Sequence, residues 1–202
     1  MRDAHTDTLA TLAAQVEADI PAVHDLDDAT LRAAVVATWA ASIAASPYDD
    51  LRDVPQSPAI VDRPLFLHIS EVNDLARSFV DFAVSLDLPI DRDVTLAAAI
   101  LHDVDKPLIY RRSALGEFAY EPGTTLKDHG RLGADLALAN GVPPAIAEMV
   151  RIHSQFASTG LPETPEGTAL HYADALANDM AAVQFGAPTI HHSFRLVPRT
   201  DV

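Results

Sequence analysis

Four of the nine histidines lie on apolar faces of separate predicted helices. One of them, His102, ends the apolar run 96–101 and is followed directly by Asp103. Polar and charged side chains are rarely buried unless they are paired, hydrogen-bonded or bound to a metal ion. A metal ion removes that cost because it binds neutral imidazole nitrogens and carboxylate oxygens. The pattern therefore indicates a metal site, with candidate ligands His68, His102, His129, His153 and Asp103.

A second candidate carboxylate, Asp174, lies in the segment ALHYADALANDMAAV. At helical spacing it shares a face with Ala177 and Ala181, which suits a buried metal ligand. A solvated aspartate on a mixed helix is the alternative interpretation, and the segment alone leaves both open. His171 and Asn178 lie one turn before and after Asp174. They either orient it or are ordinary polar residues of a half-exposed face.

The elements that must position these residues begin with two N-terminal helices. Residues 6–20 and 28–45 predict amphipathic helices, the second opened by Asp27 and Asp28, which suit an N-cap and a first turn. The segment 46–64 holds four prolines and predicts a loop or linker.

From residue 65 onward the periodicity is again helical. Asp91 suits the cap of the next helix, and 107–125 predicts a loop or short hairpin. Because no alternating strand pattern of useful length appears, the predicted fold class is all-α. The first helical face carries His68, Val72, Leu75, Phe79 and Phe82. The later helices are expected at about 91–104, 126–140, 143–153 and 165–185.

Three sections are expected along the chain, packed as one compact unit. Residues 1–64 form the N-terminal helices and a Pro-rich linker, 65–185 the metal-binding helical domain, and 186–202 a C-terminal tail. The N-terminal helices either cover the site or form a dimer face, so a homodimer is compatible with the sequence.

Charge and composition exclude several classes of function. The net charge of −15 argues against general nucleic-acid binding, which needs a basic surface. The window 106–131 is an exception, because its five cations outnumber its three acids. These cations either cluster by chance in a loop or attract a small anionic substrate. They are Lys106, Arg111, Arg112, Lys127 and Arg131.

The absence of cysteine excludes disulfides, thiolate metal sites and a cysteine nucleophile. The sequence contains no run of 18 apolar residues, so it predicts no membrane-spanning helix. The first 20 residues are interrupted by acids and do not look like a signal peptide. We therefore expect a soluble, cytoplasmic protein without a membrane partner.

The order His, His-Asp, His, His, Asp resembles the HD-domain superfamily of metal-dependent phosphohydrolases. The string HDVDK at 102–106 is similar to the family's His-Asp-hydrophobic-Gly-Lys string. The segment 128–154 is similar to the one that links the two additional histidines of dinuclear members. The resemblance covers about residues 65–182 and implies an HD-domain helical bundle with an N-terminal helical extension.

The resemblance implies two metal positions bridged by Asp103. The first would take His68, His102, Asp103 and Asp174, and the second Asp103, His129 and His153. Mixed imidazole and carboxylate ligation suits two divalent transition-metal ions, Fe or Mn first and Zn, Co or Ni as alternatives. Cations roughly 3.5–4 Å apart need an anionic bridge, and they lower the pKa of bound water enough to give a hydroxide nucleophile.

The resemblance also implies catalytic roles for Asp103 and Lys106. If the turn continues, Lys106 lies near the face of His102, where it would contact a phosphate oxygen or orient the water. The alternative is a solvent-exposed cation that interacts with the helix dipole. The other candidate substrate-binding residues are Arg112, Lys127 and Arg131.

Two departures from the family pattern stand out. Asp105 replaces the usual Gly, which adds negative charge beside the site. No Gly-Tyr-Pro string follows His153, which argues against the cyclic-di-GMP-specific branch.

The leading hypothesis is a phosphohydrolase that cleaves a phosphate ester of a nucleotide or small phosphorylated metabolite with a metal-bridging hydroxide. The alternative uses the same six ligands in a mixed-valence di-iron oxygenase that cleaves a C–C or C–P bond of a small metabolite. A third hypothesis is a ligand-sensing domain without activity, whose expected mark is a missing ligand. All six ligands are present here.

Overall fold

The protein is described by a computed structural model that covers residues 2–112, 118–154 and 160–190. Within these ranges it is mainly helical, as predicted. None of the helices in these ranges is long and apolar enough to cross a bilayer. The helices are α1 (Arg2–Asp19), α2 (Ala29–Ala45), α3 (Leu65–Ser85), α4 (Arg92–Leu101), α5 (Lys106–Ile109), α6 (Arg131–Ala139), α7 (Pro144–Ile152) and α8 (Pro165–Phe185). The strands are β1 (Pro55–Ser57), β2 (Ile60–Pro64), β3 (Tyr110–Arg112) and β4 (Phe118–Tyr120).

Local signals fix several helix ends where the sequence predicts them. The Asp28 carboxylate accepts the N–H groups of Thr30 and Leu31 at the start of α2. Asp91 accepts the N–H of Val94 at the start of α4 in the same way. Both side chains use backbone donors that have no partner within the helix. At the other end of the chain, Gly186 ends α8 in the left-handed conformation that favours glycine.

Helix α4 lies at the centre of the molecule and contacts α2, α3, α7 and α8. Its residues from Thr95 to Leu101 are all buried, so its last turn is surrounded by protein. The N-terminal helices belong to the same core: the Trp39 indole N–H donates to the Ile100 carbonyl at 3.0 Å, and the Ser42 hydroxyl to the Val104 carbonyl at 2.5 Å. One continuous hydrophobic cluster therefore holds the end of α4 in place.

The segment expected as a linker contains a β-hairpin instead. β1 and β2 pair antiparallel, with Pro55 opposite Pro64, and the pair contacts α3 and α8. Proline lacks an N–H donor but is tolerated at the ends and edges of strands, so the prolines do not prevent this pairing. Strands of three and five residues are too short to give a periodic signal, which explains why the sequence does not predict them.

The prediction of one helix over 126–140 is wrong in its first turn. A short 3₁₀ helix, Leu126–Asp128, is followed by an extended His129, and α6 begins only at Arg131. The break occurs at Gly130, whose φ is +78°. A Cβ there would lie 2.8 Å from the Arg151 carbonyl oxygen, so only glycine fits.

Two other expectations have different outcomes. The hairpin considered for 107–125 is present, because β3 pairs with β4 with Tyr110 opposite Tyr120. The predicted apolar face of α3 is buried at His68 and Val72 but not at Phe82, which is 61% exposed. The face therefore leaves the core toward the C-terminal end of α3.

Candidate metal centre

The histidines at the ends of α4 and α7 are held by the same local contact. His102 follows α4 directly, and its Nδ1–H donates to the Ala99 carbonyl at 2.7 Å. His153 follows α7 directly, and its Nδ1–H donates to the Val150 carbonyl at 2.6 Å. Because a carbonyl oxygen only accepts, the proton of each neutral ring lies on Nδ1 and the lone pair on Nε2. Both Nε2 atoms are thus prepared as ligands.

His129 reaches the same arrangement through a side chain. Its Nδ1 donates to Asp105 Oδ1 at 2.9 Å, which again leaves the lone pair on Nε2. Asp105 is fully buried, and its Oδ2 accepts the N–H groups of Gly130 at 2.6 Å and Gly133 at 3.1 Å. The aspartate that departs from the family string therefore orients one of the candidate ligands.

His68 is supplied by the first turn of α3 and is completely buried. Its Nε2 lies 3.2 Å from Asp174 Oδ1 on α8 and 3.2 Å from His102 Nε2. Its Nδ1 is buried without a hydrogen-bond partner among the described residues. The Nε2 atom is therefore the one that faces the other candidate ligands.

Asp103 lies between two pairs of histidines. Its Oδ2 is 3.1 Å from His102 Nε2 and 3.4 Å from His68 Nε2. Its Oδ1 is 3.4 Å from His129 Nε2 and 3.8 Å from His153 Nε2. Each oxygen thus faces its own pair of imidazoles, and the two buried groups share Asp103.

The donor set fits metal ions better than it fits a protein core. Ring nitrogens with lone pairs converge on a carboxylate that is itself only an acceptor, and such atoms repel unless a cation lies among them. The candidate ligands are four imidazoles and two carboxylates, a combination that suits transition-metal ions. The two groups are consistent with a dinuclear site, in which Asp174 would complete the group of His68, His102 and Asp103.

The pKa shifts of the site residues also indicate that positive charge stabilises the site. Burial by itself raises the pKa of Asp103, but the neighbouring His102 and Lys106 outweigh it and hold that pKa well below its ordinary value. Burial likewise favours the neutral form of His102, yet the charge of Asp103 raises its pKa. Burial prevails at His68 and His153 and lowers the pKa of each. Without metal, protons supply part of the charge that the carboxylates attract.

Lys106 is part of the centre. It begins α5, is 6% exposed, and its Nζ lies 2.6 Å from Asp103 Oδ2. The same amine donates to the Gln56 carbonyl at 2.7 Å. The alternative prediction of a solvent-exposed helix-end cation is therefore wrong.

A cavity of about 310 Å³ opens onto the two groups. Asp103, Lys106, His129, His153 and Asp174 all contribute to its wall. Further contributions come from the turn between β1 and β2, from α8 and from residues 187–190. His171 and Asn178 line it too, and Asn178 donates to Asp174 Oδ1 at 2.6 Å. A small molecule in this cavity would lie beside the shared Asp103 and beside Lys106.

The other predicted substrate-binding cations are not brought to this cavity in the described ranges. Arg131 is paired at the surface with Asp128 and Asp135. Lys127 is exposed and does not contribute to the described wall. The side chain of Arg112 lies outside the described part of the chain. Sequence proximity to Lys106 does not bring these cations to the cavity. Between Lys106 and Arg131, the residues of its described wall are Tyr110, Tyr120, Leu126 and His129.

Two residues of the site were missed by sequence reasoning. Gln56 lies in the segment expected as a linker, and nothing in the local sequence marks it. Asp105 was noted only as an added charge. Two sequence features could have indicated its role. Asp105 is a second acid shortly after the buried pair His102-Asp103, and Gly130 directly follows His129.

Comparison with protein families found that the HD domain model matches residues 65–179. Comparisons with curated proteins and with solved structures found no significant match. HD domains are generally found in metal-dependent phosphohydrolases. Because the match spans more than half of the chain and includes all six candidate ligands, the chain belongs to the HD-domain family.

Proposed function

We propose that the protein is a metal-dependent phosphohydrolase that cleaves a phosphate ester of a nucleotide or another small phosphorylated metabolite. The observation that carries the proposal is the position of Asp103, with one pair of histidines at each oxygen and Lys106 2.6 Å from Oδ2. A dinuclear centre beside a buried cation suits a phosphoryl group, which presents several anionic oxygens.

His68, His102, Asp103 and Asp174 would hold one metal ion. His129 and His153 would hold the second, with Asp103 shared. The chemistry that such ions supply when bound is Lewis acidity toward a phosphoryl oxygen and activation of water. Iron and manganese are the metals that we propose first, because the ligand set mixes imidazole and carboxylate.

The protein's own residues have separate tasks in this proposal. Lys106 stabilises the negative charge of the Asp103 carboxylate, and its ammonium group would interact with the phosphate oxygens. Asp105 keeps the His129 lone pair directed into the site. The cavity of about 310 Å³ is at the small end of ligand pockets, which supports a small substrate rather than a polymer. The net charge of −15 also disfavours nucleic acid.

The test starts from protein purified anaerobically without a His tag. Metal content per chain is measured first, and hydrolysis of p-nitrophenyl phosphate and bis-p-nitrophenyl phosphate follows with added Mn²⁺ or Fe²⁺. We expect about two ions per chain and release of nitrophenol. Asp103→Ala should abolish both, whereas Asp135→Ala, at an exposed ion pair, should change neither.

Two results would contradict the proposal. Retained metal binding and hydrolysis in Asp103→Ala would remove the shared carboxylate from the centre. A protein loaded with two iron ions that hydrolyses no phosphate ester but consumes dioxygen with an organic substrate would support the oxygenase instead, because the same ligands suit both.

A further inference from the structure

Gln56, in β1, connects the hairpin to the metal centre. It is completely buried, and both its backbone carbonyl and its side-chain amide are hydrogen-bonded. The carbonyl accepts the Lys106 ammonium at 2.7 Å. Since that ammonium lies 2.6 Å from Asp103 Oδ2, the hairpin backbone holds the lysine against the shared carboxylate.

The side chain of Gln56 leads to the other carboxylate of the centre. Its Nε2 donates to Asn178 Oδ1 at 3.1 Å, and Asn178 Nδ2 donates to Asp174 Oδ1 at 2.6 Å. On its opposite side, Gln56 Oε1 accepts Arg63 Nη1 at 2.6 Å. A chain of four side chains thus ends at a candidate metal ligand.

The direction of these hydrogen bonds is fixed at both ends. Arg63 can only donate, so Gln56 must present its oxygen to it and its amide nitrogen to Asn178. At the other end, the Asp174 carboxylate oxygen accepts, so Asn178 must present its amide nitrogen to it, as the 2.6 Å contact from Nδ2 shows. Both amides are therefore held in one orientation.

The far end of the chain is anchored to the core. Arg63 is buried and forms an ion pair with Glu71 of α3, the helix that also carries His68. The guanidinium keeps its charge, and Glu71 supplies a half-exposed carboxylate partner for it. Glu71, which anchors the chain of contacts, and His68, a candidate ligand, therefore lie in the same helix.

We propose that Gln56 is a positioning residue of the metal centre, which holds Asp174 through Asn178 while its carbonyl holds Lys106 against Asp103. The hairpin β1–β2 then helps to position the residues of the metal centre. This inference rests on the metal centre of the proposed function and not on the identity of the reaction.

Gln56→Glu tests the inference most sharply. Glutamate has nearly the same shape and still accepts from Arg63, but it cannot donate to Asn178. A merely space-filling role for Gln56 predicts metal binding that is unchanged or, because the new carboxylate attracts cations, tighter. The positioning role predicts weaker binding at one of the two metal positions by about 10–100-fold. The measurement is a titration of the metal-free 202-residue chain with Mn²⁺ against a chromophoric chelator.

Two further variants complete the design. Asn178→Ala should weaken the same position, and the double variant should bind no more weakly than the weaker single one, because both act through one chain of contacts. The matched control is Gln184→Glu, an exposed position on α8, which should bind Mn²⁺ like the wild type.

The outcomes separate this inference from the proposed function. Wild-type Mn²⁺ affinity in both Gln56→Glu and Asn178→Ala would overturn it, as would effects that multiply in the double variant. If Gln56→Glu does not fold, as judged by its melting curve, Gln56→Met takes its place, because methionine has a similar length and cannot donate to Asn178. Wild-type protein that binds two ions without hydrolysing esters would refute the phosphohydrolase and leave the role of Gln56 standing.

Discussion

Asp105 and His129 form a buried carboxylate–imidazole pair, with His129 Nδ1 donating to Asp105 Oδ1 at 2.9 Å. The other oxygen of Asp105 accepts two backbone N–H groups, from Gly130 and Gly133. One carboxylate therefore shapes the start of α6 and sets the direction of a candidate ligand. The same geometry links local folding to metal binding.

Asp105→Asn should weaken metal binding at the position of His129. All three partners of Asp105 donate, so an amide must turn its NH₂ toward one of them. If it faces His129, the ring proton moves to Nε2 and the ligand lone pair is lost. We expect about 10–100-fold weaker binding of one metal ion and about 1–3 kcal/mol lower free energy of unfolding. Chelator competition and urea unfolding measure the two effects.

The control is Asp135→Asn, because Asp135 is half-exposed and pairs only at the surface. It should leave both quantities within error of the wild type. Two tightly bound ions in Asp105→Asn would show that His129 is oriented without its partner.

Lys106→Met should separate catalysis from metal binding. Methionine keeps the length and the apolar contacts but removes the ammonium beside Asp103. Metal ions can still neutralise that carboxylate, so we expect the metal content of the loaded enzyme to stay unchanged. Hydrolysis of p-nitrophenyl phosphate should fall by about 10²–10³-fold in kcat/KM, as for loss of one preorganised donor. Unchanged kcat/KM would exclude Lys106 from the reaction.

Gly130→Ala should destabilise the protein more than Gly123→Ala. Both glycines have positive φ, +78° and +87°, which residues with a Cβ rarely adopt, so both substitutions strain the backbone. A Cβ at 130 would also lie 2.8 Å from the Arg151 carbonyl oxygen, whereas no atom lies within 4 Å of one at 123. Urea unfolding of both variants measures the difference in the free energy of unfolding, and equal destabilisation would contradict the close approach of α7 to Gly130.

Metal binding should release protons at pH 7. Burial opposes the charged forms of His102 and His129, but Asp103 and Asp105 outweigh it and raise the pKa of each imidazole above the ordinary 6.5. A raised pKa means that these rings hold protons at pH values where free histidine has lost them. A metal ion must displace these protons, so affinity should rise with pH until it passes the folded-state pKa values.

Calorimetric titration with Mn²⁺ in buffers of different ionisation enthalpy measures this release. The release should decrease as the pH rises through those pKa values. Binding at pH 7 without proton release would show that both rings are already neutral in the metal-free protein.

The sequence by itself determined the parts of this protein that depend on local chemistry. Asp28 and Asp91 cap helices because their carboxylates meet free backbone donors within three residues. The buried run before His102 and the ordered set of histidines and aspartates predicted the family, which the domain match confirms. The caps and the buried run are readable because each lies within one helix or one turn. The ordered set is readable because it requires only the order of residue types along the chain.

Only the tertiary structure decided which residues complete the centre. Gln56 and Asn178 are far apart in sequence yet 3.1 Å apart in space, and no local pattern records that contact. Arg131 is close to the site in sequence but pairs with its own helix surface. Directly after His129, the chain passes so close to a carbonyl of α7 that only glycine fits at position 130. Contacts between distant segments are set by how the helices pack, which short-range periodicity does not encode.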